Sequence, residues 1–307
     1  MDKHRTGGLF RLAVASIKRG ECIDHCVQMI GEAGDREADL LVLPEEPDIV
    51  AGLEPGQHKL EDHPVFEAFR QAAIKAGVPI VASLSAKVEG GYSNMGFVLD
   101  ETGDIIGLYP KKHPAPGEEA IVTTPIDGDP FPVFDLGGIK LGIAICMDIH
   151  FPEMFRIYGV KGADIVCVPT MYMDYTGDMI ESIEKARAID SQMYLAVGHY
   201  IDQPYLAGKS MGYGKVIAPD GRIVASTGHQ EGIAIAEIDP KWRFPYWATD
   251  ELIEKYPDLR VMFDRIRRPD LYDDLVGNAR RGVPKPPNCS QLGSTGMARR
   301  PFPTEPK

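Results

Sequence analysis

The 307-residue chain predicts an α/β fold, a four-layer αββα sandwich built from two similar α/β halves and followed by a C-terminal extension. Three observations carry this. Ala38-Asp-Leu-Leu-Val-Leu-Pro44 returns as Ala163-Asp-Ile-Val-Cys-Val-Pro169. Tyr92–Ile106, with its Thr-Gly-Asp turn, returns as Lys209–Ile223, with Asp-Gly-Arg. Each half alternates strand-like apolar runs with helical periodicity before ending in that hairpin. Helices covering one face of each sheet leave the other face to be buried against its twin. A single doubly wound sheet explains the duplication less well.

The elements follow in order. Leu9–Ala15 reads as a strand, Cys22–Glu32 as a helix, Leu40–Leu43 as a strand, Pro64–Ala76 as a helix and Pro79–Ser85 as a strand. The second half repeats this with Ile139–Ile145, Met154–Val160, Ile165–Val168, Ser182–Gln192 and Tyr194–Gly198. Pro152 is placed for a first helical turn, where its missing N–H costs nothing. The pattern changes at Lys241, so residues 1–240 are expected to form the main domain and 241–307 the extension. Asp250–Phe263 is expected to be helical with an interruption at Pro257. Pro284 to Pro303 has no apolar periodicity and reads as an extended tail.

With 44% hydrophobic and 25% charged residues the composition is that of a soluble globular protein. A net charge of −12 argues against nonspecific binding to nucleic acid or to an anionic membrane. No window approaches a membrane span and the first residues lack an apolar signal core, so a cytoplasmic location is expected. The cysteines (22, 26, 146, 167 and 289) are scattered, which disfavours a disulfide framework. Cys22 and Cys26 flank His25, but no second ligand pair follows at zinc spacing. They read as small apolar side chains on one helix face, and no metal is expected.

Cys146 stands where the apolar run from Ile139 to Ile145 stops and a helix starts. Backbone N–H groups and the helix dipole are expected there to favour thiolate over thiol. Ends of parallel strands are also where α/β sites form, and Glu45 follows the apolar run ending at Leu43-Pro44. Burying a carboxylate there is costly without a partner or a task. The matching position of the second half is Thr170, so the repeated fold does not require the acid. Lys111 and Lys112 lie in the loop Leu108–Glu119, and its counterpart Ala225–Glu231 has lost both lysines.

These segments resemble the carbon–nitrogen hydrolase (nitrilase) superfamily, from about Leu9 to Pro240. Leu41-Val-Leu-Pro-Glu45 matches its strand-Pro-Glu motif. Tyr109-Pro-Lys-Lys-His113 matches Tyr-Arg-Lys-x-His and selects Lys111, with Pro110 replacing the arginine. Cys146 through Glu153 matches Cys-x-Asp-x-x-Phe-Pro-Glu. The resemblance implies the αββα fold and a Glu-Lys-Cys triad that needs no cofactor. Glu45 is the general base, Cys146 the nucleophile that forms a thioester, and Lys111 the oxyanion partner together with the backbone N–H of Met147. A second glutamate is expected between the lysine and the cysteine. Glu118 and Glu119 both fit, with Glu119 favoured.

Departures from the family narrow the reaction. Nitrilases proper carry Cys-Trp-Glu, whereas this chain has Cys146-Met147-Asp148. D-specific carbamoyl-amino-acid hydrolases place two arginines where Ile149 and His150 stand; Arg156 and Arg187 are candidate substitutes that also fit helix-surface roles. Met171, Tyr172 and Met173 are expected opposite Glu45 as an apolar pocket wall, with Met147 and His150 also near substrate. The leading expectation is hydrolysis of a small amide to acid and ammonia; N-carbamoyl amidohydrolase and nitrilase are the alternatives. Family members often assemble through the helix after the nucleophile and the C-terminal segment, so a homodimer or larger is expected.

Overall fold

The computed structural model describes residues 9–115, 128–171, 179–201, 212–246 and 249–276. The first half begins with parallel strands β1 (Phe10–Ile17), β2 (Leu40–Val42) and β3 (Ile80–Val88). An antiparallel hairpin of β4 (Gly91–Leu99) and β5 (Ile105–Pro110) completes it. The second half opens with β6 (Phe134–Leu136), antiparallel to β7 (Ile139–Ile143). Parallel strands β8 (Ile165–Pro169) and β9 (Tyr194–Tyr200) follow, then the hairpin of β10 (Lys215–Ile217) and β11 (Ile223–Ser226). Strand β12 (Gly232–Ile238) returns to pair with β1. The halves therefore read β12-β1-β2-β3-β4-β5 and β6-β7-β8-β9-β10-β11. They are joined where Ser16 and Ile17 of β1 meet His199 and Tyr200 of β9.

The duplication reaches single residues. Asp39 Oδ2 accepts the Arg11 N–H at 2.7 Å, and Asp164 Oδ2 accepts the Lys140 N–H at 2.8 Å. Both hairpins carry an irregularity at the same place, between Val98 and Leu99 and between Val216 and Ile217. Between the strands run α1 (Cys22–Asp35), α2 (Pro47–Val50), α3 (Pro64–Ala76), α4 (Pro152–Val160) and α5 (Met179–Ser191). A methyl added to Gly34 at the end of α1 would lie 2.6 Å from the Ala76 carbonyl oxygen. One on Gly159 of α4 would lie 3.0 Å from that of Ser191. Each helix pair thus crosses at a glycine because only hydrogen leaves room for the neighbouring backbone.

Helix α1 buries Cys22, Cys26, Met29, Ile30 and Ala33, a stripe at helical spacing facing the sheet. Cys22 donates its thiol hydrogen to the Pro47 carbonyl at 3.1 Å, and both cysteines pack in the core formed with α3. On the opposite sheet face Val42, Val81, Val98 and Tyr109 join Ile143, Ile145 and Val168 in one continuous core. The close approach of the halves falls at Gly96, where an added methyl would meet the Ile143 and Ile145 side chains at 3.0 and 3.2 Å.

The helix expected over Asp250–Phe263 is divided into α6 (Asp250–Lys255) and α7 (Leu259–Ile266), with Pro257 at the break and Asp258 capping α7. A four-residue helix, α8 (Asp273–Val276), follows. Beyond Pro240 the chain is stitched to the second half. The buried Arg243 pairs with Asp164 at 2.7 Å, and Arg260 donates to the Ala163 carbonyl at 2.6 Å. The tail from Pro284 to Pro303 lies outside the described residues. Among the described residues no helix is long and apolar enough to cross a membrane.

Candidate active site

Glu45, Lys111 and Cys146 come from three strand ends and meet where the two halves face each other. Glu45 lies just past β2, Lys111 follows β5, and Cys146 follows β7. All three are buried. The Lys111 ammonium donates to Glu45 Oε1 at 2.9 Å, and Asn94 Nδ2 donates to the same oxygen at 2.8 Å. Glu45 Oε2 accepts the Met171 N–H at 3.1 Å, a contact that crosses from the second half to the first. Tyr200 at the β1–β9 junction holds the Glu45 carbonyl through its hydroxyl at 2.9 Å. The carboxylate is therefore fixed from both halves, which meets the condition for burying it.

The Cys146 thiol bonds to that carboxylate and lies within electrostatic reach of Lys111. Burial pushes the thiol well above its ordinary range and the Glu45 charge adds to the rise. Lys111 and the Met171 N–H oppose it. This corrects the expectation of a dipole-stabilised thiolate. The residues after Cys146 form only a short 3-10 turn, Cys146–His150, before α4 starts at Pro152. Its dipole is too small to offset loss of solvent plus a neighbouring negative charge.

Backbone strain marks two of these strand ends. Cys146 has φ +46° and Glu46, the residue after Glu45, has φ +42°. Left-handed geometry costs a non-glycine residue about 1–2 kcal/mol, so each turn must be held by its surroundings. At Glu46 the holding group is Ser83, whose hydroxyl accepts the Glu46 N–H at 3.2 Å; the buried Asp48 next to it accepts from Ser85 N and Oγ at 3.0 and 2.5 Å. At Cys146 it is Asp148. Oδ2 of Asp148 accepts the Ile145 N–H and the Tyr109 hydroxyl, each at 2.8 Å, and Oδ1 accepts the His113 N–H at 3.1 Å and its Nδ1 at 2.6 Å. The His113 ring stacks on Phe151 with centroids 3.8 Å apart.

Other sequence-derived candidates fall differently. Met171 meets Glu45 through its backbone, while its partly buried side chain packs against the first-half core. Met147 and His150 lie on the turn carrying Cys146. Loss of solvent lowers the His150 pKa, and the nearby Arg187 charge lowers it further. Arg187 is no helix-surface residue: Nε donates to the Ile149 carbonyl at 2.8 Å and its guanidinium lies over the Phe155 ring. Arg156 pairs with Asp264. Glu118, Glu119, Tyr172 and Met173 lie outside the described residues. The sequence by itself assigns no site role to Asn94 or Asp148. Asn94 falls three residues before Phe97 and its second-half counterpart, three before Lys215, is Gly212. That asymmetry is of the kind that pointed to Lys111.

The carbon–nitrogen hydrolase family model matches residues 14–243. The chain belongs to that family. Among carbon–nitrogen hydrolases it is similar to the 2-oxoglutaramate amidase of Bacillus subtilis, at 32% identity over 78% of this chain and 89% of that protein. The omega-amidase NIT2-A of Xenopus laevis is 28% identical over 86% of this chain and 95% of its own. The fold matches that of an amidase from Nesterenkonia sp. with a TM-score of 0.68, at 22% identity and covering 88% of this chain and 97% of that one. In a mutant of that amidase the acetamide moiety of fluoroacetamide is covalently attached at the active-site cysteine.

Proposed function

We propose that the protein hydrolyses a small-molecule amide to a carboxylic acid and ammonia through a thioester on Cys146. The observation that carries this reading is the Glu45 carboxylate, bonded at once to the Lys111 ammonium and the Cys146 thiol. A neutral thiol is a weak nucleophile, so attack on the amide carbon requires proton removal as the S–C bond forms, and Glu45 is the base in contact. The carbonyl oxygen becomes an oxyanion that Lys111 and the Met147 N–H stabilise; losing one such donor costs about 2.7–4 kcal/mol. Glu45 returns the proton to the leaving nitrogen, ammonia departs, and the same carboxylate then deprotonates the water that cleaves the thioester. Glu119 is assigned the orientation of Lys111 and substrate, and His150, Met171 and Tyr172 the substrate walls.

An uncharged or modestly polar amide is the favoured substrate class. Where a two-arginine carboxylate clamp would stand there are Ile149, which is buried, and His150. Arg187 and Arg156 are engaged with the Ile149 carbonyl and with Asp264. A second reading, an amide that also carries a carboxylate, draws on the similarity to a 2-oxoglutaramate amidase. Ammonia release across aliphatic amides, 2-oxoglutaramate, carbamoyl-amino acids and nitriles separates these readings. Fast cleavage of carbamoyl-amino acids with slow cleavage of aliphatic amides would overturn the favoured one. Full activity in Cys146→Ala would overturn the mechanism.

A further inference from the structure

The bonds of Asp148 have a common target. Tyr109 and His113 stand two residues before and two after Lys111, and Ile145 immediately precedes Cys146. One buried carboxylate thus grips both flanks of the lysine segment and the near flank of the nucleophile turn. Asp148 N also donates to the Ile145 carbonyl at 3.0 Å, closing the strained turn from the other side. An ionised carboxylate only accepts, so His113 Nδ1 carries the proton in its bond.

The second hairpin makes the equivalent tie in another way. There the carboxylate is on the hairpin end: Glu231 accepts the Lys18 N–H at 3.0 Å and faces His25 Nδ1 at 2.8 Å, next to the end of β1. Glu231 is partly solvated, whereas Asp148 has no exposed surface. The repeated architecture thus tolerates a wet tie between hairpin and strand end. Of the two ties, the dry, four-donor one is the one that joins the segments carrying Lys111 and Cys146. Desolvation makes such charge-assisted bonds stiff and their geometry exacting.

We propose that Asp148 is a positioning residue that sets the Lys111 ammonium against Cys146 by clamping Tyr109, His113 and Ile145. It acts through Lys111 and through the turn carrying Cys146, touches no reacting atom, and the proposal rests on the hydrolytic reading above. Asp148→Asn keeps the shape but turns one acceptor into a donor facing N–H or O–H groups.

With propionamide as probe and ammonia release as readout, Asp148→Asn is expected to lower kcat about a hundredfold, the scale of a small misplacement of reacting groups, and to leave KM nearly unchanged. Adding Asp148→Asn to Lys111→Met is expected to cost less than the product of the two single losses, because the part of the clamp that places Lys111 has no group left to serve. Unchanged kcat in a folded Asp148→Asn, or losses that multiply in the double variant, would overturn the positioning role alone. A wild-type protein releasing no ammonia from any amide would overturn the hydrolytic reading and the clamp with it. Should Asp148→Asn fail to fold, Tyr109→Phe, which removes one hydroxyl, carries the same test: a lower kcat at constant KM supports the clamp, and wild-type kcat overturns it.

Discussion

At Cys146 two neighbouring charges pull the thiol in opposite directions. The Glu45 carboxylate raises its pKa and the Lys111 ammonium lowers it, with burial the larger effect. Glu45→Gln removes the raising charge while keeping a hydrogen-bonding side chain. It is expected to abolish amide turnover and yet to shift the pH profile of Cys146 alkylation by iodoacetamide toward lower pH, followed by intact mass. A profile that stays put or moves to higher pH would contradict this arrangement. Glu45 was visible in the chain as a carboxylate placed expensively at a strand end, and Lys111 as a lysine absent from the twin loop. The neutral state of the thiol was not visible, because it depends on what closes over the site.

At the scale of elements, the halves differ in how their hairpins meet their helices. Phe97 of β4 packs edge-on against Phe66 of α3, with ring centroids 5.1 Å apart. The corresponding β10 residue, Lys215, instead forms a buried ion pair with Glu184 of α5 at 2.6 Å and lies 4.3 Å from the Tyr213 ring centroid. Removing one partner of such a pair strands a charge. Glu184→Gln should therefore destabilise the protein by about 3–5 kcal/mol, while Glu184→Leu combined with Lys215→Met should be neutral or stabilising by about 1–4 kcal/mol. Urea denaturation of both variants checks this; a smaller loss in Glu184→Gln than in the double variant would refute it. Helical periodicity gave α3 its observed bounds, Pro64–Ala76. The continuous apolar run Ile139–Ile145 reads as one strand, although β7 ends at Ile143, since the last apolar residues lead into the Cys146 turn.

For the whole molecule, buried thiols and phenols weigh against the folded state at alkaline pH. Burial raises Cys26, Cys146 and Cys167 above the ordinary 9.0, and Tyr109, Tyr158 and Tyr200 above 10.0. Above about pH 9 the unfolded chain releases these protons while the folded chain keeps them, so the unfolded state binds fewer protons. Stability from these groups is complete below that pH and falls as pH rises. The urea midpoint at about pH 10.5 should lie below that at about pH 8, and an equal or higher midpoint would refute this. Val261, Ile266, Leu271 and Leu275, all in the segment after residue 240, expose their apolar side chains. A homodimer or larger is expected, and light scattering at micromolar concentration that returned a monomer would contradict it.

The α/β class, the duplication, and the family motifs around Glu45, Lys111 and Cys146 were legible in the chain by itself. Periodicity and motif spacing are local properties, and an internal repeat can be read by comparing the chain with itself. Tertiary structure decided what depends on approach between distant segments. Met171 reaches Glu45 across the two halves, Arg187 braces the Ile149 carbonyl, and Asp148 gathers Tyr109, His113 and Ile145. It also decided the direction in which the thiol pKa moves. Desolvation and the sum of nearby charges fix that, and neither exists until the two halves close on each other.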